Sequence, residues 1–301
     1  MSFAVGIDIG GTKIAIGVVS SWGEVVIKDT IAMNVECSPT KMIDDVLLCM
    51  NKQLHSLPND ILISGIGIGA PGPLNVEKGI ILSPTNLPTW QNFAIVNQVK
   101  MACPYPVVLE NDANAAALAE KLFGAGKDCD DFIYLTVSTG IGAGIISGGV
   151  LLSGFQGNAG EIGHLVVDPS AGTCKCGQAG CLYMVSSGKA IAQRGSEIVG
   201  SPVSTEDVFN LYFKGHQEIT QLVEKAIWGL GVGCVSLINF IEPEKIIIGG
   251  GVSKVGEPLF SAIRSYVKNH ALHLSGKQTK IIPTSLKQDS GLIGAAALVF
   301  Q

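Results

Sequence analysis

A two-lobed α/β architecture is what this sequence predicts, and three observations carry the prediction. The chain has 301 residues, more than one hydrophobic core usually serves, so two lobes of about 120 to 180 residues are expected. Apolar residues make up 47% against 15% charged, with 38 glycines, a balance that suits buried strands running continuously apolar between glycine turns. A phrase also recurs: apolar strand, small-residue turn and apolar strand occupy residues 3–20 and again 132–152, as two related halves would.

In the first half, FAVGIDI (3–9) and IAIGVVS (14–20) are apolar, β-branched runs on either side of the turn GGTK (10–13), hence two strands. A helix is expected over about 39–54, then strands over 63–72 (ISGIGIGAPG) and 106–111 (PVVLEN). The latter runs into an alanine-rich helix over 113–123 that Gly124 stops, glycine being the usual residue past a helix C-terminus. In the second half, FIYLTVS (132–138), TGIGAG (139–144) and IISGGVLL (145–152) predict strand, turn and strand. Helices follow near 186–195, 218–241 and 256–271, with the strand KIIIGGG (245–251) between the last two. The closing DSGLIGAAALVF reads as a helix with a small-residue packing face.

A net charge of -5 and the lack of any lysine and arginine cluster predict no nucleic-acid partner, because phosphate binding needs a basic field. The opening MSFAVGIDIG has no charged start or long apolar core, and no window holds the roughly 18 uninterrupted apolar residues of a membrane span. A cytoplasmic protein without a membrane partner is expected. In a reducing compartment the spacing C-x-C-x4-C of Cys174, Cys176 and Cys181 points to a metal rather than to disulfides. Zinc wants a fourth ligand, and His164 is the nearest candidate. Gly177 and Gly180 let the backbone fold round a metal; three unrelated thiols are the alternative. Cys37, Cys49, Cys103, Cys129 and Cys234 stand alone and read as small buried hydrophobes.

GIDIGGTK (6–13) approaches a phosphate-binding loop but has Thr12-Lys13 where that motif has lysine followed by serine or threonine, and it joins two strands. Such a turn can still set backbone N–H groups against a phosphate, and Asp8 at the strand end can hold a hydrated Mg²⁺; an ordinary glycine hairpin is the other reading. TGIGAG and the GGG of 249–251 have the same character. Asn111 and Asp112 fall where a buried strand gives way to a helix, the edge at which open α/β sheets bind ligands. Either can cap the helix, and a carboxylate there can also take the proton of an attacking hydroxyl. Glu161, three residues before His164, can accept hydrogen bonds from sugar hydroxyls or stand in solvent.

Taken in order, DIGGTK, GAPGPL, ENDANAAALAE, STGIGAG, GEIGH, CKCGQAGCL, IIIGGGVS and GLIGAA make the chain resemble, over nearly its whole length, the ROK family of bacterial sugar kinases and sugar-responsive repressors. The resemblance implies the two-lobed actin-like (ribonuclease H-like) ATPase fold with a central cleft, divided here into 1–117 with 290–301 and 118–289. It implies ATP and a hexose in the cleft, with Asp112 as base toward the 6-hydroxyl and Asn111, Glu161 and His164 on the sugar. Gly72 and Asn86 would line the sugar side. Asp8, Gly10, Gly11, Thr12, Lys13, Thr139, Gly140, Gly249 and Gly250 would face the nucleotide and its Mg²⁺. His164, Cys174, Cys176 and Cys181 would hold a structural zinc, leaving the second His164 nitrogen for a sugar hydroxyl.

One departure concerns the substrate: family kinases usually read GCLE, whereas this chain reads GCLY, with Tyr183 in the sugar-reading place. A glucose-like hexose is expected, with N-acetylmannosamine, mannose, fructose or a β-glucoside as alternatives, and a homodimer or homotetramer as the assembly. A repressor of the family would carry a DNA-binding segment ahead of the first strand, and a dinucleotide enzyme would need G-x-G-x-x-G where residues 65–69 and 140–144 give G-x-G-x-G. A non-catalytic sugar sensor is the remaining alternative.

Overall fold

The structure, a computed structural model, describes residues 2–58, 60–84, 86–286 and 289–300. The first half supplies β1 (Ser2–Ile9), β2 (Lys13–Ser20), β3 (Val25–Ala32), α1 (Pro39–Ser56), β4 (Leu62–Ala70), β5 (Leu74–Asn75), β6 (Ile80–Ile81), α2 (Ile95–Ala102), β7 (Val107–Asn111) and α3 (Asp112–Phe123). The second supplies β8 (Phe132–Val137), β9 (Ile141–Ser147), β10 (Val150–Leu151), α4 (Leu182–Ser186), α5 (Gly188–Val199), α6 (Thr205–Phe213) and α7 (Gln217–Ile241). It closes with β11 (Lys245–Gly249), α8 (Glu257–His270), α9 (Leu274–Lys277), β12 (Lys280–Pro283) and α10 (Ser290–Ala297).

The recurring phrase builds two sheets of one design. Their strand orders, β3-β2-β1-β4-β7 and β10-β9-β8-β11-β12, match position for position: the first three strands are antiparallel and the last two are parallel additions. Each central strand turns one aliphatic face inward, and Val5, Ile7 and Ile9 of β1 and Ile133, Leu135 and Val137 of β8 are all buried. At about 1.5 to 3 kcal/mol per buried aliphatic side chain, these strands anchor two separate cores, one behind each sheet.

The two halves exchange a helix. α3 follows the first sheet but lies on β8 and β9 of the second, while α10 follows the second sheet and lies on β1 and β4 of the first. They cross on small residues: a Cβ placed on Gly294 would lie 2.7 Å from the backbone of Ala115, so only glycine lets the backbones meet there. The chain leaves the first sheet at Asn111–Asp112, and the boundary expected at residue 117 falls inside α3.

Several elements differ from expectation for local reasons. β4 stops at Ala70 because Pro71 has no N–H for a ladder. The single strand expected over 145–152 is a hairpin, turned by Gly148 and Gly149 at positive φ. The second half of TGIGAG belongs to β9 rather than to the turn. The helix expected near 186–195 is two, because Ser187 ends α4 and its side chain caps α5 by accepting the Ala190 N–H at 3.1 Å. β11 ends at Gly249 because Gly250 turns at φ 86°. Strands β3 and β12 and helices α2 and α6 had no counterpart in the sequence reading. Among the described residues one helix, α7, has the length and hydropathy of a membrane span, but half of its most apolar window is buried inside the protein, as befits a core helix.

Candidate active site

The site grows from the C-terminal ends of the central strands. β1 carries Asp8 as its penultimate residue, and the turn after the strand closes with Gly10 N–H donating to Lys13 C=O at 2.9 Å. The first turn of α10 abuts Asp8 so closely that a Cβ on Gly291 would collide with its carboxylate. Burial pushes the Asp8 carboxyl up to about 6, against the opposing pull of the Lys13 charge.

On the neighbouring strands, β7 hands over to α3 at Asn111. Its Oδ1 accepts the N–H groups of Ala113 at 2.9 Å and Asn114 at 3.2 Å, so Asn111 caps the helix, and Asp112 Oδ1 accepts the Ala113 N–H as well, at 2.8 Å. Behind the junction Glu110 Oε1 accepts the Asn111 N–H at 2.8 Å and Asn114 Nδ2 at 3.0 Å. Burial first, then the charge of Asp8, and further down the charge of Glu161 push the Asp112 carboxyl up to about 7, opposed by the Ala113 N–H. Three carboxylates from three segments therefore share one field.

Two of the residues expected on the sugar side, Asn111 and Glu161, meet around Gly72. A Cβ placed there would lie 3.0 Å from Glu161 Oε1, 3.5 Å from Asn111 Nδ2 and 3.9 Å from Asn158 Oδ1. Asn158 is a residue the sequence reading missed. Its Oδ1 accepts the Leu74 N–H at 2.9 Å and its Nδ2 donates to the Leu74 C=O at 3.1 Å, fastening the second half's 153–160 loop to the first half's β5. The only sequence signal was a polar residue in a glycine-flanked loop just before Glu161. Asn86 lies elsewhere on the rim, with Nδ2 3.1 Å from a Cβ placed on Gly11, over the β1–β2 turn that holds Thr12.

Across the cleft the β8–β9 turn mirrors the β1–β2 turn. Ser138 N–H donates to Gly140 C=O at 2.9 Å, and the first amides of α5 hold the turn from behind: Gly188 N–H to Ser138 C=O at 2.8 Å, Lys189 N–H to Thr139 C=O at 3.3 Å. Gly249 lies beside Thr136 in register, and a Cβ on Gly250 would strike the Val137 backbone. Tyr183, in the first turn of α4, sets its ring on this turn, Cε2 3.6 Å from a Cβ placed on Gly140. Burial, with the neighbouring Cys174 second, raises its phenol.

The cysteine loop stands behind Tyr183. His164 and the sulfurs of Cys174, Cys176 and Cys181 offer ligand atoms that all lie within 4.8 Å of one another, with His164 Nδ1 3.7 Å from Cys174 Sγ and Cys176 Sγ 3.5 Å from Cys181 Sγ. A tetrahedral zinc with bonds of about 2.0 to 2.3 Å spaces its ligand atoms about 3.5 to 3.8 Å apart, so the donor set fits that ion. The remaining five cysteines are free and buried or half-buried.

Two sheets of one strand order, glycine turns at their central strand ends and an exchanged helix pair define the two-lobed actin-like ATPase fold. Residues 4–301 match the ROK family, and the chain belongs to it. It is 33% identical to a glucokinase of Halalkalibacterium halodurans over 99% of this chain and 94% of that one. It is 31% identical to an N-acetylmannosamine kinase of Shigella boydii over 97% and 96%. A xylose repressor of Bacillus subtilis is 28% identical, and the match takes in 99% of this chain and 77% of the repressor. Among solved structures, the ROK hexokinase of Thermus thermophilus superposes with a TM-score of 0.82 at 34% identity, covering 98% and 97% of the two chains. A ROK glucokinase of Streptomyces griseus in complex with glucose and AMPPNP gives 0.83 at 29% identity, with 99% of each chain covered.

Proposed function

We propose that this protein is an ATP-dependent sugar kinase that transfers the γ-phosphate to the 6-hydroxyl of a hexose, glucose or a near relative. The observation that carries the proposal is Asp112: a carboxylate at a helix start, raised to about 7 by burial and by Asp8 and Glu161, is tuned for a general base at neutral pH. As the hydroxyl oxygen bonds to the γ-phosphorus, its proton passes to Asp112, and the bond to the β–γ bridging oxygen breaks to release ADP. Gly72, Asn111, Glu161 and the Nε2 of His164 take the sugar hydroxyls in this reading, and Asn86 closes the rim above Gly11.

The turns at Gly10, Gly11 and Thr12, at Thr139 and Gly140, and at Gly249 and Gly250 are the proposed nucleotide cradle, with Lys13 as its near cation. Mg²⁺ would supply the positive charge that the transferring phosphoryl group needs, and Asp8, a carboxylate at the cleft floor, is the residue of the right chemistry to hold it through water. Zinc on His164 Nδ1, Cys174, Cys176 and Cys181 would be structural, since four protein ligands leave no open position. Its part is to fix the His164 ring so that Nε2 faces the sugar.

Tyr183 favours a second reading of the substrate. A neutral phenol stands where related kinases read the sugar with a carboxylate, which suits a hexose altered at carbon 1 or 2, and an N-acetylmannosamine kinase is among the relatives. Following ADP release with ATP and a panel of hexoses tests both readings. Release with no sugar in the panel, although a sugar binds, would instead mark a sensor.

A further inference from the structure

The helix exchange leaves a buried acid that the site does not use. Glu120, in the last turn of α3, is fully buried. Its Oε2 accepts the Ala125 N–H at 2.7 Å and the Ser285 hydroxyl at 3.4 Å, and its Oε1 accepts the Thr284 hydroxyl. Thr284 Oγ1 in turn lies 3.3 Å from Ser290 Oγ and accepts the Leu286 N–H at 3.2 Å. Ser290, the first residue of α10, bonds to the Tyr134 hydroxyl of β8. One carboxylate thus joins α3 to the connector and helix start by which the chain returns from the second sheet to the first.

This junction lies on the far side of the helix crossing from Asp112. α3 meets α10 at Ala115 and Gly294. At 1.5 Å rise per residue, Asp112 is about 4.5 Å from that crossing along α3 and Glu120 about 7.5 Å in the other direction. The crossing is an extended apolar seam of small residues, Ala119 of α3 clustering with Leu292, Ile293, Ala296 and Ala297 of α10, along which packed helices can shift in small steps. Glu120 adds a polar anchor at one end of that seam, through Thr284 and Ser285 of the segment that leads into α10. If it lets go and α3 shifts along the seam by about 1 Å, Asp112 moves with the helix, and misplacement of that size at a reacting group costs about 100-fold in rate. α10 is fixed at the same time, and its Gly291 is the residue pressed against Asp8.

We infer that Glu120, clasped by Thr284, Ser285 and the Ala125 amide, is a positioning residue that fixes the crossing of α3 and α10 and so holds Asp112 and Asp8 in reacting register. The inference rests on the kinase reading for its rate effect but not for its effect on motion.

The test compares Glu120→Gln, Thr284→Val and Thr284→Ser with wild type. Glu120→Gln and Thr284→Val should lower kcat at least about 10-fold with the sugar KM changed less than about 3-fold, and Thr284→Ser, which keeps the hydroxyl, should restore kcat to within about 2-fold. Hydrogen exchange in α3 and the first turn of α10 should quicken in the first two variants and not in Thr284→Ser. Folded Gln and Val variants with wild-type exchange and wild-type kcat would overturn the inference. So would a Thr284→Ser variant as impaired as Thr284→Val. If wild type itself phosphorylates no hexose, the kinase reading fails, and unchanged exchange in the Gln and Val variants would then overturn the clasp separately.

Discussion

Asp112 at the start of α3 and Asp8 near the end of β1 face a shared cleft floor, and the charge of Asp8 ranks next after burial in raising Asp112 to about 7. Asp8 itself is raised to about 6. Asp8 is raised by burial against the pull of Lys13, whereas Asp112 is raised by burial and by the charge of Asp8. A base must be ionised to work, so kcat should climb as pH rises through about 7, the limb set by the value of Asp112. Glu161→Gln removes one charge that raises Asp112, so the acid limb should move to lower pH in that variant. A pH–rate profile with an unmoved limb would detach Glu161 from this field.

The same shifts run against stability. A carboxyl raised in the folded chain binds a proton that the unfolded chain has already released, so its contribution is full below the ordinary 3.8 and is lost as pH rises through about 7. Asp112→Asn cannot ionise and escapes this loss. Thermal unfolding should therefore show the Tm of Asp112→Asn gaining on wild type as pH goes from about 5 to 8. Its phosphoryl transfer should fall by about 100- to 10,000-fold while sugar affinity stays within about 10-fold. A mutant that keeps most of its kcat would remove Asp112 from the role of base.

Gly291→Ala should be costly in two currencies. Its methyl would enter the space of the Asp8 carboxylate, and overpacking at a close contact costs about 1 to 3 kcal/mol. Because the atom displaced is the proposed Mg²⁺-holding group, the Mg²⁺ concentration for half-maximal activity should rise along with the loss of Tm. An alanine variant with unaltered Mg²⁺ dependence would show that Asp8 has room to move.

What the sequence made legible follows from where burial acts. The strands β1, β2, β4, β7, β8 and β11 carry strongly aliphatic runs and could be read directly. β3 carries Lys28, Asp29 and Thr30 in solvent at a sheet edge, and β12 has four residues, so neither leaves a strong pattern. The glycine turns and the cysteine spacing were legible because their chemistry is local. The helix exchange was not, since nothing local in Glu120 or Gly294 tells which sheet a helix will cover. Asn158 was missed for the same reason, because its partner Leu74 lies 84 residues away in the chain.

The cysteine loop should hold about one zinc per chain as purified, as its four ligand atoms within 4.8 Å imply. Elemental analysis checks this. Because His164 shares a loop turn with Glu161, Cys176→Ser should raise the sugar KM more than it lowers kcat, along with a lower Tm. Fully active protein free of zinc would refute the ligand set.

Tyr183 is the residue through which substrate choice can be tested most directly. Its ring rests on the Gly140 turn and its phenol lies near Cys174, so it touches both the proposed nucleotide cradle and the zinc loop. A phenol offers one neutral hydrogen bond where a carboxylate would accept two charge-assisted ones, each worth about 1.5 to 3 kcal/mol, or roughly 10- to 150-fold in affinity. Glucose should accordingly have a high KM, or a hexose altered at carbon 1 or 2 should outrun it, with the ring stacking on the substituent. The packing against Gly140 adds a second expectation: Tyr183→Glu should raise kcat/KM for glucose while raising the KM for ATP, because the turn loses the ring that supports it. Tyr183→Phe separates the two effects, since it keeps the ring and removes the hydroxyl, and should leave the KM for ATP unchanged. If Tyr183→Glu gives no gain in glucose kcat/KM, Tyr183 packs the loop without reading the sugar, and specificity rests on Glu161 and His164.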